Sequence, residues 1–392
     1  MAQQQQMEAK LIGKIIEEII NSNENKITFK RYMEMALYYP DLGYYTKDRE
    51  KIGKKADFYT SSSVGSVFGQ TISKVLAELV SYVEDQEYRI IEIGGGNGRF
   101  ARDVLAELKL KEPDIYSQLT YFMIETSPYH IKLQEEYLSE HLDHVQWISQ
   151  LEELGDSLKG VIFSNELVDA FPVHMVKKVN GDLKEIYVTW NHDEAVFEEV
   201  IGELSNQALS NYFIEQRIDL KEGQTSEINL NAIEWIQAVG KKLQQGYVMT
   251  IDYGHPAEEL YASNRHNGTL MCYHQHLAND NPFQHVGDQD ITTHVNFTAL
   301  EKYGEQVGLQ TILLDTQGNF LIRSGILEYL IPVQNFEERD LFQDQALKIN
   351  RAIRQLITPG EMGDTFKVML QQKGMQEKEY QFMKPAWEKY PF

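Results

Sequence analysis

The run Glu92-Ile-Gly94-Gly-Gly96-Asn-Gly98 stands directly after a short apolar stretch and directly before an amphipathic one, RFARDVLAELKLK. Glycines at such a turn let the backbone bend sharply and let a ligand approach closely, because any Cβ would collide with it. A dinucleotide site uses G-x-G-x-x-G, with its helix N-terminus facing the pyrophosphate. The spacing here is G-x-G-x-G, with a carboxylate two residues ahead of the first glycine. Glu92 offers a pyrophosphate nothing, whereas it attracts a ligand that carries a cationic amine and a sulfonium. The pattern favours S-adenosylmethionine over a nicotinamide dinucleotide. A glycine turn with a structural role only is the bland alternative.

Two further constellations fit the same ligand. The next apolar run, TYFMIETSP, ends at Glu125, where an acid can accept both hydroxyls of a ribose as a bidentate pair. Ser127-Pro128 then opens a helix, with Ser127 as its N-cap. Trp147, at the end of a third run, flanks an adenine face or else sits in the core, as tryptophans more often do. A fourth run ends in Ser164-Asn165-Glu166-Leu167-Val168-Asp169. In an open α/β sheet the ligand crevice lies outside the carboxyl ends of the strands, which puts Asn165, Glu166 and Asp169 near a methyl group in transfer. Methyl transfer aligns a nucleophile lone pair with the S–CH₃ bond, so positioning dominates. One or two carboxylates can hold a guanidinium fork to fork, localise its charge and take its proton. Asp169 and Asn165 can equally be read as helix caps.

These residues need elements to position them. RIIEI, TYFMIETSP, HVQWISQ, KGVIFSNELVDAFPVHMV and GYVMTIDYG are apolar runs alternating with helical segments, the grammar of a parallel sheet in a Rossmann-like α/β domain. Residues 1–80 read as a helical cap. An amphipathic helix carries Leu11, Ile15, Ile16, Ile19 and Ile20 on one face, and a small-residue loop, DFYTSSSVGSVFGQ, leads into a helix over 71–80. The core occupies 81–190 and 245–330. Between them KEIYVTW reads as an edge strand, and 191–244 as a mostly helical insertion of the kind that covers a site. LQTILLDT and FLIRSGI read as a strand pair, and 331–392 as a helical extension that folds back.

Composition sets the class. The 392 residues are 42% apolar, enough for a sizeable core, and 37 Lys and Arg against 59 Asp and Glu give a net charge of −22. Such a chain repels polyphosphate, which disfavours nucleic acid and favours a basic protein or peptide partner; charge kept for solubility alone is the other reading. The lone cysteine, Cys272, excludes an internal disulfide framework and fits a reducing compartment. No apolar run approaches the ~18 residues of a membrane span, and the N-terminal segment has neither a signal h-region nor the acid-poor character of a transit peptide. The expected location is the cytoplasm, without a membrane partner. His266, Cys272, His274, His276, His285 and His294 offer enough ligands for zinc, but without C-x-x-C or H-E-x-x-H spacing, and no metal is expected.

In order, the segments DFYTSSSVGSVFGQ, IIEIGGGNGRF, YFMIETSP, SNELVDAFPVHMV, MTIDYG, DQDITTHVNFTAL and TQGNFLIRSGI resemble the MidA-like family, class I S-adenosylmethionine-dependent methyltransferases related to the mitochondrial assembly factor of respiratory complex I. The resemblance covers residues 27–326, and MGDTFKVML extends it. It implies a seven-stranded methyltransferase core, an N-terminal cap and a helical insertion between strands 4 and 5. It also implies S-adenosyl-L-methionine as cofactor and a protein substrate methylated on arginine, as in the eukaryotic relatives. Carried over by motif, Gly94, Gly96, Gly98 and Glu125 hold the cofactor, and Thr60 and Ser61 close over it. Asn165, Glu166 and Asp169 face the acceptor, with His174, Asp252, Tyr253 and His294 lining the same mouth. The chain departs from its relatives at Gly95, where they often carry proline, and at Ser62-Ser63, where they carry proline-glutamate. A fold that binds the cofactor while acting only as an assembly chaperone, a small-molecule acceptor, and a homodimer stay open.

Overall fold

The computed structural model describes residues 2–22, 24–47, 61–84, 87–332 and 345–389. The chain divides into two compact units, each assembled from separate stretches of sequence.

The first unit collects Tyr59–Leu167, Gln237–Tyr253 and Gly304–Phe392. Its strands are β1 (Tyr88–Ile93), β2 (Leu119–Ile124), β3 (Val145–Ile148), β4 (Leu158–Asn165), β5 (Leu243–His255), β6 (Gln310–Thr316) and β7 (Phe366–Lys373). They lie side by side in the order β3-β2-β1-β4-β5-β7-β6. Strands β1 to β5 are mutually parallel, and β7 runs antiparallel to both of its neighbours. The chain therefore winds outward in one direction from β1 and in the other from β4, and the crevice of such a sheet opens at this switch. A parallel strand covered on both faces reads as a continuous apolar run. Val161, Ile162 and Phe163 of β4 are accordingly all fully buried. On one face, helix Ser66–Ser81 packs Phe68, Ile72, Val75 and Leu79 into the core shared with Phe100, Val104, Leu105 and Leu108 of helix Arg99–Lys111. The rings of Phe100 and Phe163 stack 4.6 Å apart, locking that helix to β4.

Three expectations change in this unit. The helix expected over 71–80 begins at Ser66, and a short turn of helix, Ser61–Val64, occupies part of the expected loop; residues 57–60 lie outside the described residues. FLIRSGI is not a strand but contributes to helix Gln317–Arg323, started by Thr316, whose side chain accepts from the Asn319 N–H. The tail is not simply a helical extension. Helix Gln345–Ile357 is followed by β7, which inserts between β5 and β6. Lys367 and the pair Gln371 and Gln372 break up its apolar run, yet eight consecutive residues from Phe366 to Lys373 pair with β5.

The second unit collects Met1–Phe58, Val168–Ile236 and Gly254–Tyr303. Strands Ile27–Thr28, Asp182–Asn191, His174–Val179 and Thr225–Ile228 pair in that order, with Val196–Gly202 on the remaining side of Asp182–Asn191. A smaller sheet joins Leu277–Asn279, Met271–His274 and Asp290–Thr292. Helix Ala2–Asn21 buries Leu11, Ile15 and Ile19, four residues apart, whereas Ile20 is 52% exposed and drops out of the expected apolar face. The insertion is not mostly helical. Helices Gln207–Gln216 and Leu230–Lys242 alternate with strands Val196–Gly202 and Thr225–Ile228. Its acidic stretch VFEEVIG has good helix formers, but seven cross-strand pairs with Asp182–Asn191 override that preference. Among the described residues no helix is long and apolar enough to cross a membrane.

Candidate active site

Strand β1 ends at Ile93, and the next five residues turn the chain into helix Arg99–Lys111. Gly94, Gly96 and Gly98 take φ of 75°, 51° and 82°, a left-handed conformation that side chains rarely adopt. Two of these glycines are also needed for space. A Cβ on Gly94 would lie 3.0 Å from Leu167 Cδ1, and one on Gly98 3.0 Å from the Gln134 backbone. Gly95, where relatives often carry proline, has its missing Cβ position 2.5 Å from Met123 Cε and 3.0 Å from Glu92 Oε2. The turn is thus bare backbone laid over a buried carboxylate.

That carboxylate, Glu92, is 4% exposed. Burial pushes it up to about 7; the hydrogen bond from Tyr121 Oη at 3.0 Å opposes the rise and the charge of Glu125 adds to it. Among the described residues no lysine or arginine pairs with Glu92. Glu125, at the end of β2, is driven the other way. Burial raises its carboxyl, but His130 and the backbone N–H groups of Ser127 and Thr126 outweigh burial and hold it below the ordinary range. The two N–H groups donate to Oε1 at 2.8 and 2.9 Å, and His130 Nδ1 lies 3.4 Å from Oε2. Ser127 caps helix Pro128–Tyr137 as expected, accepting from the His130 N–H.

Gln134, on that helix, was not legible as a site residue. It is fully buried, and its Nε2 donates to Gly96 O at 2.8 Å and approaches Glu125 Oε2 at 3.4 Å. Its Oε1 accepts from Trp147 Nε1 at 2.8 Å. Trp147 is half-buried against the core, so this one amide ties the glycine turn, the acid of β2 and the tryptophan of β3 together. Nothing but the fold brings residue 134 there, nine positions beyond Glu125 on a helix of unremarkable sequence.

A second constellation forms where β4 ends. Glu166 takes φ of 52°, a strained conformation for a side-chain-bearing residue, and its N–H donates to Ile251 O of β5 at 2.9 Å. Its Oε1 accepts from Asn165 Nδ2 and from the Ser61 N–H, each at 3.0 Å. Ser61, fully buried, donates through Oγ to Gln317 Oε1 at 3.1 Å, and Gln317 in turn donates to Leu356 O and Met362 O. Ser61, expected to close over the cofactor, thus also holds Glu166 through its backbone N–H. Thr60 lies outside the described residues. Asp252, expected to line the mouth, is fully buried and anchors backbone, accepting from the N–H groups of Leu167 at 3.3 Å and Tyr253 at 2.9 Å. Tyr253 sets its ring edge against Phe366.

Asp169, His174 and His294 belong to the other unit. Asp169 caps no helix: it sits in a turn closed by Phe171 N–H to Val168 O, and the chain goes on to strand His174–Val179. Its side chain is buried, and its carbonyl accepts from Thr293 N–H. His174 Nδ1 lies 2.7 Å from Oε1 of the fully buried Glu185, whose Oε2 accepts from Ser205 N–H. The ring of His174, expected to take a catalytic part, thus faces a buried carboxylate. His294 donates its backbone N–H to Thr269 Oγ1, and its ring lies 5.2 Å from that of His255. In the histidine-rich stretch His274 and His285 stack at 4.1 Å, and burial pushes the Cys272 thiol up to about 12. Among the described residues no three His, Cys, Asp or Glu side chains gather as a metal site.

The arrangement in the first unit fits a nucleoside that carries a cationic amine. A bare left-handed turn admits it, an ionised acid at β2 suits ribose hydroxyls, and a buried carboxylate under the turn suits a cation. Comparisons agree. The sequence matches the S-adenosyl-L-methionine-dependent methyltransferase family 28 over residues 71–314. The mitochondrial protein arginine methyltransferase NDUFAF7 homolog of Drosophila melanogaster is 25% identical, over 88% of this chain and 80% of its own. The mitochondrial human protein arginine methyltransferase NDUFAF7 is 24% identical over 87% and 78%. These relatives are mitochondrial, which overturns the expectation of a cytoplasmic chain. The crystal structure of a COG1565 superfamily member from Burkholderia thailandensis, bound to S-adenosyl-homocysteine, is 28% identical with a TM-score of 0.87, covering 98% of this chain and 97% of that one. With turn, acids, strand order and these likenesses in agreement, the chain belongs to the MidA-like family and is an enzyme, a methyltransferase that uses S-adenosyl-L-methionine.

Proposed function

We propose that this methyltransferase modifies a protein on an arginine guanidinium nitrogen and that Glu166 is the group that receives the acceptor. The arginine assignment is supported by the fly and human relatives, which are named protein arginine methyltransferases and align along most of their length. The observation that carries the chemistry is the hold on Glu166 Oε1 by Ser61 N–H and Asn165 Nδ2 from two sides. Bound in the seat built from Glu92, the glycine turn and Glu125, the cofactor supplies an electrophilic methyl group.

A guanidinium is protonated at neutral pH and its lone pair is delocalised, so the protein must orient it and localise its charge. A carboxylate oriented by the Ser61 N–H, by Asn165 Nδ2 and by a strained backbone presents a preset acceptor for N–H groups of the fork. Asn165 and Ser61 position this carboxylate and do not touch the acceptor. As the nitrogen gains the methyl group it becomes more acidic, and Glu166 takes the proton it releases and passes it to solvent.

Glu166→Gln should keep cofactor affinity within about twofold while transfer of labelled methyl into an arginine-bearing protein falls roughly a hundredfold or more. Normal turnover by the variant removes Glu166 from the reaction. Label recovered only in small molecules removes the protein substrate.

A further inference from the structure

We propose that Gln134 is a positioning residue for the cofactor, a buried clamp that sets the glycine turn, Glu125 and Trp147 in one register before the cofactor arrives. The proposal rests on the cofactor seat assigned above and not on the acceptor. Its chemistry follows from how the amide is used. The Trp147 indole can only donate and the Gly96 carbonyl can only accept, so the two fix the amide orientation without ambiguity: oxygen to Trp147, nitrogen to Gly96. The Gln134 side chain is fully buried, so its own amide depends on these partners rather than on water.

The bond to Gly96 O falls on the middle one of the three left-handed glycines. It therefore holds the centre of the turn from outside. The same Nε2 reaches Glu125 Oε2 at 3.4 Å, and His130 Nδ1 reaches that oxygen at the same distance. Both oxygens of the acid are thus aimed: Oε1 by backbone N–H groups, Oε2 by two side chains. Gln134 also stands against Gly98, whose missing Cβ position is 3.0 Å from its Cα. One residue touches both the turn and the acid, so a ligand that needs both is bound to a prearranged pair and loses less freedom on binding.

The test is calorimetric titration of the full chain with S-adenosylhomocysteine. Gln134→Met keeps the volume and removes the amide's hydrogen bonds; its Kd should rise roughly tenfold or more. Gln134→Glu gives a signature that packing alone does not produce. When protonated, the introduced carboxyl donates to Gly96 O and accepts from Trp147 much as the amide does. When ionised, it repels Gly96 O and Glu125. Measured against the parent protein at each pH, its affinity should be nearly equal at mildly acidic pH and fall progressively behind as pH rises. This second variant keeps the test decisive if Gln134→Met does not fold. Glu125→Ala is the control for the seat. If it loses binding while both Gln134 variants match the parent at every pH, the proposal for Gln134 is overturned and the seat stands. If Glu125→Ala also binds like the parent, the seat is misplaced and the proposal falls with it.

Discussion

At Glu92 the cost of burial is met by one phenol hydrogen bond, and the carboxyl is left near 7, half ionised at neutral pH. The sign of the consequence is fixed. A carboxyl whose folded value exceeds its unfolded value of about 4.5 binds protons in the folded state, so the cofactor-free protein is steadier in mild acid. It loses on the order of 3 kcal/mol as pH climbs from the ordinary carboxylate range through about 7. A cationic amine over the turn recovers that loss only once the carboxylate is ionised. Cofactor affinity measured by calorimetry should therefore increase as pH rises through about 7 and level off above it. In Glu92→Gln it should be weaker and lack this step. A parent protein whose affinity is flat between about pH 6 and pH 8 would show that Glu92 meets no cation. Residue types alone place an acid ahead of the glycines. They do not reveal that Glu92 is sealed under Gly95 while Glu125 is held ionised by its own helix start, because both facts depend on which atoms crowd in.

At the scale of elements, the register of β4 against β5 is pinned where two glycines cross. A Cβ on Gly246, which has φ of 136°, would run into the carbonyl of Gly160, and the pairing shifts between Leu243 and Gln245 just before it. Gly246→Ala combines a backbone clash with an unfavourable conformation, each costing about 1–3 kcal/mol, so thermal unfolding should begin many degrees earlier. An unchanged melting temperature would mean that the bulge relaxes freely. These two strands were readable because a strand buried on both faces must be apolar throughout. The same logic explains the misses. β7 interrupts its apolar run with Lys367, Gln371 and Gln372, and Gln372 Nε2 is satisfied by Gln310 Oε1 of β6, a partner no local pattern announces. Residues 196–202 carry helix-forming glutamates and still pair as a strand, since their partner strand supplies the hydrogen bonds. FLIRSGI is apolar enough for either element; the side chain of Thr316 decides for helix. Among site residues, the glycine turn and the acids at strand ends were legible as motifs, whereas Gln134 and Gln317 act through contacts between elements distant in sequence.

For the molecule as a whole, a net charge of −22 works at long range and is screened by salt. With a basic protein as acceptor, KM should rise roughly threefold or more between low and about 0.5 M salt, with kcat little altered. Cofactor Kd, set by buried groups, should hold nearly constant. A KM indifferent to salt would detach the charge from acceptor recruitment. One feature of the sheet bears on how the protein is made. β7 lies between β5 and β6 but is translated after both, with residues 317–365 intervening. While the nascent chain leaves the ribosome, β5 waits with an open edge and β6 has no neighbour to dock on. Such exposed strand edges attract other chains, so ribosome stalling within that interval should yield a product that aggregates or is handed to chaperones.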